Sequence, residues 1–221
     1  MDDASPPIAR LKHSITVDRS LLKDVASVLL HSILFLRCFG NTHPRTIDLL
    51  GLSFSAIQDA ELEAVVQAKA QSISRAAEQH HLGPSLGRQA SHPALQTLRV
   101  NLAFNERTTI KVWYGSKEAD VPFERWSIEL SIETGLTERE RNKIEAKTRR
   151  DLRQFIFKSV TFAQTGRERL PAIKSSDLVC YPWSMSLASA EGPLDDTPSD
   201  KTAAIDEGPG RRAGMLSGAM W

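Results

Sequence analysis

The stretch Val121–Glu145, VPFERWSIELSIETGLTERERNKIE, changes its hydrophobic period within itself, and that change decides the fold class. From Phe123 to Glu133 apolar residues alternate with polar ones: Trp126, Ile128, Leu130 and Ile132 fall on one face, the two-residue repeat of a half-buried strand. Thr137 then opens a TERE capping-box pattern. There a hydroxyl and a glutamate three residues later satisfy each other's orphan N–H groups. Beyond it Ile144, Leu152, Phe155, Ile156 and Val160 carry a long helix to about Gln164, and Gly166 ends it. A strand leading directly into a helix, both with an apolar face, makes this an α/β chain (α+β), a sheet covered by helices.

Towards the N-terminus the same two periods recur. Leu98, Val100, Leu102 and Phe104 alternate with Arg99, Asn101, Ala103 and Asn105 and predict another strand with one buried face. Ile110–Tyr114 reads as a further short strand, with GSKEAD after it as a turn, so the three strands form a β-meander. Leu11, His13, Ile15 and Val17 predict a short first strand. Leu21, Leu22, Val25, Val28, Leu29, Ile33 and Leu36 then predict a core helix, with Asp18 or Ser20 as N-cap and Gly40 just past the end. The segment TIDLLGLSFSAI reads as one strand interrupted or bulged near Gly51. Asp59 opens a second helix through Leu62, Val65, Val66 and Ile73, ending near Gln79. The loop HHLGPSLGRQASHP follows, and proline-bounded extended segments run through LPAIKSSDLVCYPWSMSL.

The 221 residues are 41% apolar and 25% charged, the usage of a globular chain large enough for one core. Residues 1–8 read as disordered, 9–187 as the domain, and 188–221 as a disordered or aberrant tail rich in Gly, Pro, Asp and Ser. Net charge is +1, which provides no overall footprint for wrapping nucleic acid or an anionic membrane. Residues 188–221 hold three basic and six acidic side chains, however, so the remainder carries about +4 and has room for a modest basic face. The longest charge-free apolar stretch, Val25–Leu36, is too short to be a transmembrane segment, and MDDASPPIAR lacks the basic start of a secretory signal. Cys38 and Cys180 lie far apart in sequence and in no Cys-x-x-Cys pair, which favours a reducing compartment.

No pattern carries covalent chemistry. His80, His81 and His92 share a loop without helical register or an attendant cysteine, and a solvated loop is the better reading than a metal site or a metal-dependent hydrolase. His31, on the apolar helix, reads as a hydrogen-bonded core or interface histidine. No G-x-S-x-G and no phosphate-binding glycine loop occurs, so no catalytic residue, cofactor or metal ligand is assigned. Arg139, Arg141, Lys143, Lys147, Arg149, Arg150 and Arg153 make the long helix basic. Glu138, Glu140, Glu145 and Asp151 are interspersed as local partners, so a solvated helix face is the plainer reading. Trp113 shares a strand face with Lys111, away from Ile110, Val112 and Tyr114, and so reads as a binding anchor, as part of a strand buried on both sides, or as a loop tryptophan folded back onto the domain.

The segments VASVLLHSILFLRCFG, TIDLLGLSFSAIQDAELEAVV, VPFERWSIELSIETGLTERERNKIE and RERLP, spread over residues 25–171, resemble the autophagy-related protein 101 family in a fungal-type form. PFERWSIEL followed by the TERER helix start is the most specific part. The resemblance implies a HORMA domain, a mainly antiparallel sheet packed against three helices, without an active site. It also implies a non-enzymatic adaptor that pairs with the HORMA domain of autophagy-related protein 13 and stabilises it. The setting would be the autophagy-initiation kinase complex, cytoplasmic and at the preautophagosomal structure. The family's protruding aromatic finger would here be Trp113 and Tyr114, in a WYG string that lacks the proline between the aromatics of the animal pattern. After Leu187 the chain does not continue the family's final strand and helix. A HORMA adaptor of the spindle-checkpoint or chromosome-axis kind is the neighbouring alternative, but the tail shows no apolar alternation for a peptide-closing belt.

Overall fold

The computed structural model describes residues 8–81, 96–113, 115–134 and 136–189. The chain divides after Glu191 into two units, and every described residue belongs to the first. Its elements are β1 (Ala9–Asp18), a 3-10 turn (Arg19–Leu21), α1 (Leu22–Leu36), β2 (Pro44–Leu49), β3 (Leu52–Ile57) and α2 (Ala60–His81). They continue with β4 (Gln96–Val112), β5 (Gly115–Glu133), α3 (Glu138–Thr165) and β6 (Trp183–Ser189). The main sheet has the order β1-β5-β4-β6, and β2 and β3 form a separate pair.

The alternation read from the sequence sets the register. Leu98 faces Leu130, Val100 faces Ile128 and Leu102 faces Trp126, so the apolar faces of β4 and β5 coincide. On β1, Leu11, Ile15 and Val17 join that face opposite Trp126, Leu130 and Ile132. All of these side chains are buried, and α1, α2 and α3 cover them, giving two layers around one core. The mixed α/β class and the three helices agree with the sequence reading. The sheet is antiparallel except at its edge, where β1 runs parallel to β5.

That edge is closed by α3. The Thr16 N–H donates to the Asp151 carboxylate at 3.1 Å and the Thr148 hydroxyl donates to the Thr16 carbonyl at 2.7 Å. Side chains of a helix thus replace the missing neighbour strand, one of the ways an edge is protected from pairing with another chain. The capping box is present: Glu140 N–H donates to the Thr137 hydroxyl, and the Glu140 carboxylate accepts from Thr137 N–H at 2.8 Å. Asp59 caps α2 by accepting from Leu62 N–H, and Asp18 caps the 3-10 turn.

Four local expectations change. TIDLLGLSFSAI is not one bulged strand but a tight hairpin, with Leu49 paired to Leu52 across Leu50 and Gly51. Both turn residues have positive φ (53° and 67°), the requirement of a two-residue turn whose twist matches its strands. Ile110–Val112 is not a separate strand but the end of β4. GSKEAD is not a turn but the start of β5, so a single long hairpin replaces the three-stranded meander. α1 stops at Leu36 and turns at Arg37, so Gly40 stands four residues past its end rather than just past it. α2 runs on to His81, because Ala70 and Ala77 extend the stripe of Leu62, Val66 and Ile73. The proline-bounded C-terminal segment ends in β6, antiparallel to β4.

Candidate functional site

The best-formed cavity among the described residues is an apolar space of about 10 Å³ between α1, α2 and the sheet, lined by Leu29, Leu30, Ile33, Ile73, Val100 and Ile128. That is the volume of about one water, and nothing polar faces it. Burial pushes the Cys38 thiol up, and its S–H donates to the Leu178 carbonyl at 2.8 Å, while Cys180 is buried. His31 is 1% exposed, and burial, with the Arg45 charge second, pushes it down to about 4, so its ring is neutral near pH 7. Its Nε2 lies 3.3 Å from Glu63 Oε2 but is not aligned for a hydrogen bond. Of the loop expected at residues 80–93, the backbone of His80 and His81 instead closes α2, and the rest, His92 included, lies outside the described residues.

The surface offers a more distinctive feature. β6 begins where Trp183 faces Phe104, and β1 begins where Ala9 faces Glu124. β4 and β5 continue without these neighbours through the eight pairs from Asn105↔Pro122 to Val112↔Gly115. At about 3.4 Å per residue this two-stranded ribbon reaches roughly 25 Å beyond the sheet.

Its root is marked by a shift in register between Phe104 and Asn105, which face Glu124 and Pro122 and leave Phe123 as the extra residue. Pro122 has no N–H to give to the ladder, and proline in a sheet belongs at such a bulge. The Asn105 N–H turns to the Pro182 carbonyl at 2.8 Å. Phe123 packs edge-on against Tyr181 at 5.0 Å, and the Tyr181 hydroxyl donates to the Pro171 carbonyl at 2.7 Å. Lys174 pairs with Glu106 at 2.9 Å, tying the second pair of the ribbon, Glu106↔Val121, to the segment before β6.

Trp113 occupies the turn at the far end, with 95% of its surface exposed. It is therefore not on a strand face beside Lys111, as alternation implied, but at a tip. The reading of Trp113 as folded back onto the domain does not hold. Tyr114 lies outside the described residues. An indole held in water loses the burial that usually stabilises it, and a tryptophan presented in this way has the chemistry of a binding anchor.

Further from the tip, Phe157 on α3 is 75% exposed, a side chain that the helical stripe analysis passed over. The signal was available: Phe157 falls on the polar side of the 3.6-residue repeat that buries Leu152, Phe155 and Ser159. Among the described residues no helix is long and apolar enough to cross a membrane, and no group of three or more His, Cys, Asp and Glu could hold a metal ion.

Comparison with known proteins returns one family. The family model described as autophagy-related protein 101 matches residues 14–177, from within β1 to the segment before β6. No curated protein matches the chain.

Proposed function

Because the chain belongs to the autophagy-related protein 101 family, and so has an autophagy-related role, we propose that it is a non-enzymatic adaptor of the HORMA type. It pairs with the HORMA domain of autophagy-related protein 13, stabilises it within the autophagy-initiation kinase complex, and recruits downstream factors through Trp113. The work is done in the cytoplasm and at the preautophagosomal structure. The observation that carries this reading is the ribbon, which lies inside the family match over residues 14–177 and holds an almost fully exposed tryptophan roughly 25 Å from the sheet. A scaffold whose most exposed aromatic among the described residues stands at a tip is suited to recognition.

Affinity purification of the protein from its native cells, with mass spectrometry of what co-purifies, tests the pairing. Recovery of an autophagy-initiation kinase complex is expected; recovery of chromosome-axis or spindle-checkpoint proteins would transfer the chain to another kind of HORMA adaptor. A partner that binds only the folded state also raises stability, by about 2.7 kcal/mol at a hundredfold excess over Kd. An unchanged melting temperature at saturating partner would reject the pairing.

A further inference from the structure

The two faces of the main sheet differ in kind. Leu11, His13 and Ile15 of β1 point into the core with Trp126, Ile128 and Leu130 of β5, so the residues between them form the opposite face. There Arg10 stands directly opposite Arg125 on the neighbouring strand, about 4.8 Å away. Lys12, opposite Ser127, follows one repeat along β1, roughly 7 Å further. The same two rows continue across the sheet through Ala103 and Asn101 of β4 to Ser184 and Ser186 of β6. Arg10, Lys12, Ser184 and Ser186 are exposed, and Arg125, Ser127, Asn101 and Ala103 are half-buried.

Like charges placed directly opposite each other destabilise a sheet, yet here three cations share one corner of a face. The next charges on that face, Glu129 and Arg99, lie roughly 13 Å further along β5 and pair with each other at 3.8 Å, so they do not offset the cluster. What matters is where the three cations stand, not which other groups each of them touches. Two planar guanidinium forks on adjacent strands and a lysine beside them suit the three oxygens and the roughly −2 charge of a phosphate monoester. Next to them the floor is made of short side chains. The Ser127 hydroxyl donates to the Asn101 carboxamide oxygen at 2.8 Å, which orients the amide N–H groups of Asn101 as donors on the same face.

An extended segment can lie close on such a floor. The positive charge has a single focus, whereas a nucleic acid backbone requires a line of cations. Among the described residues, none of the exposed large apolar side chains stands on this face of the four-stranded sheet, so it has nothing to insert among acyl chains. A phosphorylated protein segment fits these features best. We propose that Arg10, Lys12 and Arg125 form a binding site for a phosphoserine or phosphothreonine carried in an extended segment of a partner protein. The three cations take the phosphate, and Asn101, Ser184 and Ser186 take polar groups of the segment's main chain. The site rests on the register of the sheet and is independent of the adaptor reading, so either can fail without the other.

The test uses the immobilised full-length protein and two degenerate peptide libraries that differ only in carrying phosphoserine or serine at the central position. Preferential retention of the phosphoserine library is expected, with inorganic phosphate competing. A hydrogen bond to a charged group is worth about tenfold or more in affinity, so Arg125→Gln should lower retention about tenfold and Arg10→Gln with Lys12→Gln about a hundredfold. Arg99→Gln removes one charge from the same face outside the cluster and should leave retention unchanged. Arg10 and Lys12 are exposed, so their double variant keeps the wild-type melting temperature and carries the test if Arg125→Gln unfolds. Equal retention of the two libraries, or retention undiminished in the double variant, overturns the proposal. An equal fall for Arg99→Gln also overturns it, since the attraction would then be unspecific. So does sedimentation with phosphatidylserine vesicles without preference for the phosphoserine library, which would make the face a lipid site.

Discussion

Arg37 and Glu124 form a two-bonded ion pair where the four-stranded sheet gives way to the ribbon: Nε to Oε1 at 2.8 Å, Nη2 to Oε2 at 2.6 Å, side chains 1% and 2% exposed. Trp126 Nε1 donates to the same Oε1 at 2.6 Å, and Arg37 Nη1 donates to the Leu36 carbonyl at 3.0 Å. The pair joins the end of α1 to the first residue of β5 that has neighbours on both sides, which fixes the point from which the ribbon departs. Taking two charges out of water costs several kcal/mol per ion, and only bonding as complete as this offsets it.

Removal of one partner leaves the other charge buried. Arg37→Met should therefore cost about 3–5 kcal/mol in denaturant titration. Adding Glu124→Gln should recover a substantial part of that loss, since the amide oxygen still accepts from Trp126 and no charge remains. A loss below about 1 kcal/mol for Arg37→Met would place this pair with surface ion pairs.

Stability should fall as pH drops below about 6.5, because His31 and His13 are buried and held below their ordinary range. His31 is pushed down to about 4 by burial; His13 is lowered by burial, partly opposed by its bond to the Asp151 carbonyl at 2.9 Å. The unfolded chain binds these protons first, so acid favours unfolding, and the slope ends where the folded-state groups titrate. For His31 the window is 6.5 to about 4, worth on the order of 3 kcal/mol. His31→Leu should flatten much of this slope in denaturation curves taken across the window; an unaltered slope would show that other groups set it.

The Leu50-Gly51 turn predicts a backbone effect without a steric one. A Cβ at Gly51 would meet the Arg149 guanidinium at 3.6 Å, an ordinary contact, yet φ is 67°. Gly51→Ala should cost about 1–2 kcal/mol, the penalty of the left-handed region for a residue with a Cβ. A neutral substitution would mean that the β2–β3 turn relaxes into another type.

The buried faces were legible because burial leaves a period. Leu98 to Phe104 and Trp126 to Ile132 alternate, and both are core. The ribbon was not legible for the complementary reason: Ser116, Lys117, Glu118 and Asp120 are exposed and carry no apolar alternation, so a polar run after a glycine resembled a turn. Leu50 was missed because two-residue hairpins usually announce themselves by Asn-Gly, and here leucine accepts positive φ while packing against the core. The Arg37–Glu124 pair spans 87 residues, and no local spacing reveals it. At the candidate site, alternation singled out Trp113 but put it on a strand face; only the pairing of Val112 with Gly115 moves it to the tip.

Trp113 and Trp126 should separate binding from stability. Trp126 is fully buried, donates to Glu124, and meets Phe162 edge-on at 5.0 Å. Trp126→Ala removes an aromatic from the core and leaves the Arg37–Glu124 pair beside a cavity, so about 3–5 kcal/mol should be lost. Trp113 is 95% exposed, and its replacement by alanine should change stability by no more than about half a kcal/mol. In a pull-down of downstream autophagy factors the order should invert. An anchoring tryptophan is worth about 2 kcal/mol or more of affinity, roughly thirtyfold, so Trp113→Ala should abolish recruitment while leaving a folded protein. Denaturation curves for both variants, set beside the pull-down, decide between the two roles. Unfolding of Trp113→Ala would make the tip structural, and recruitment undiminished by that substitution would move the binding surface elsewhere.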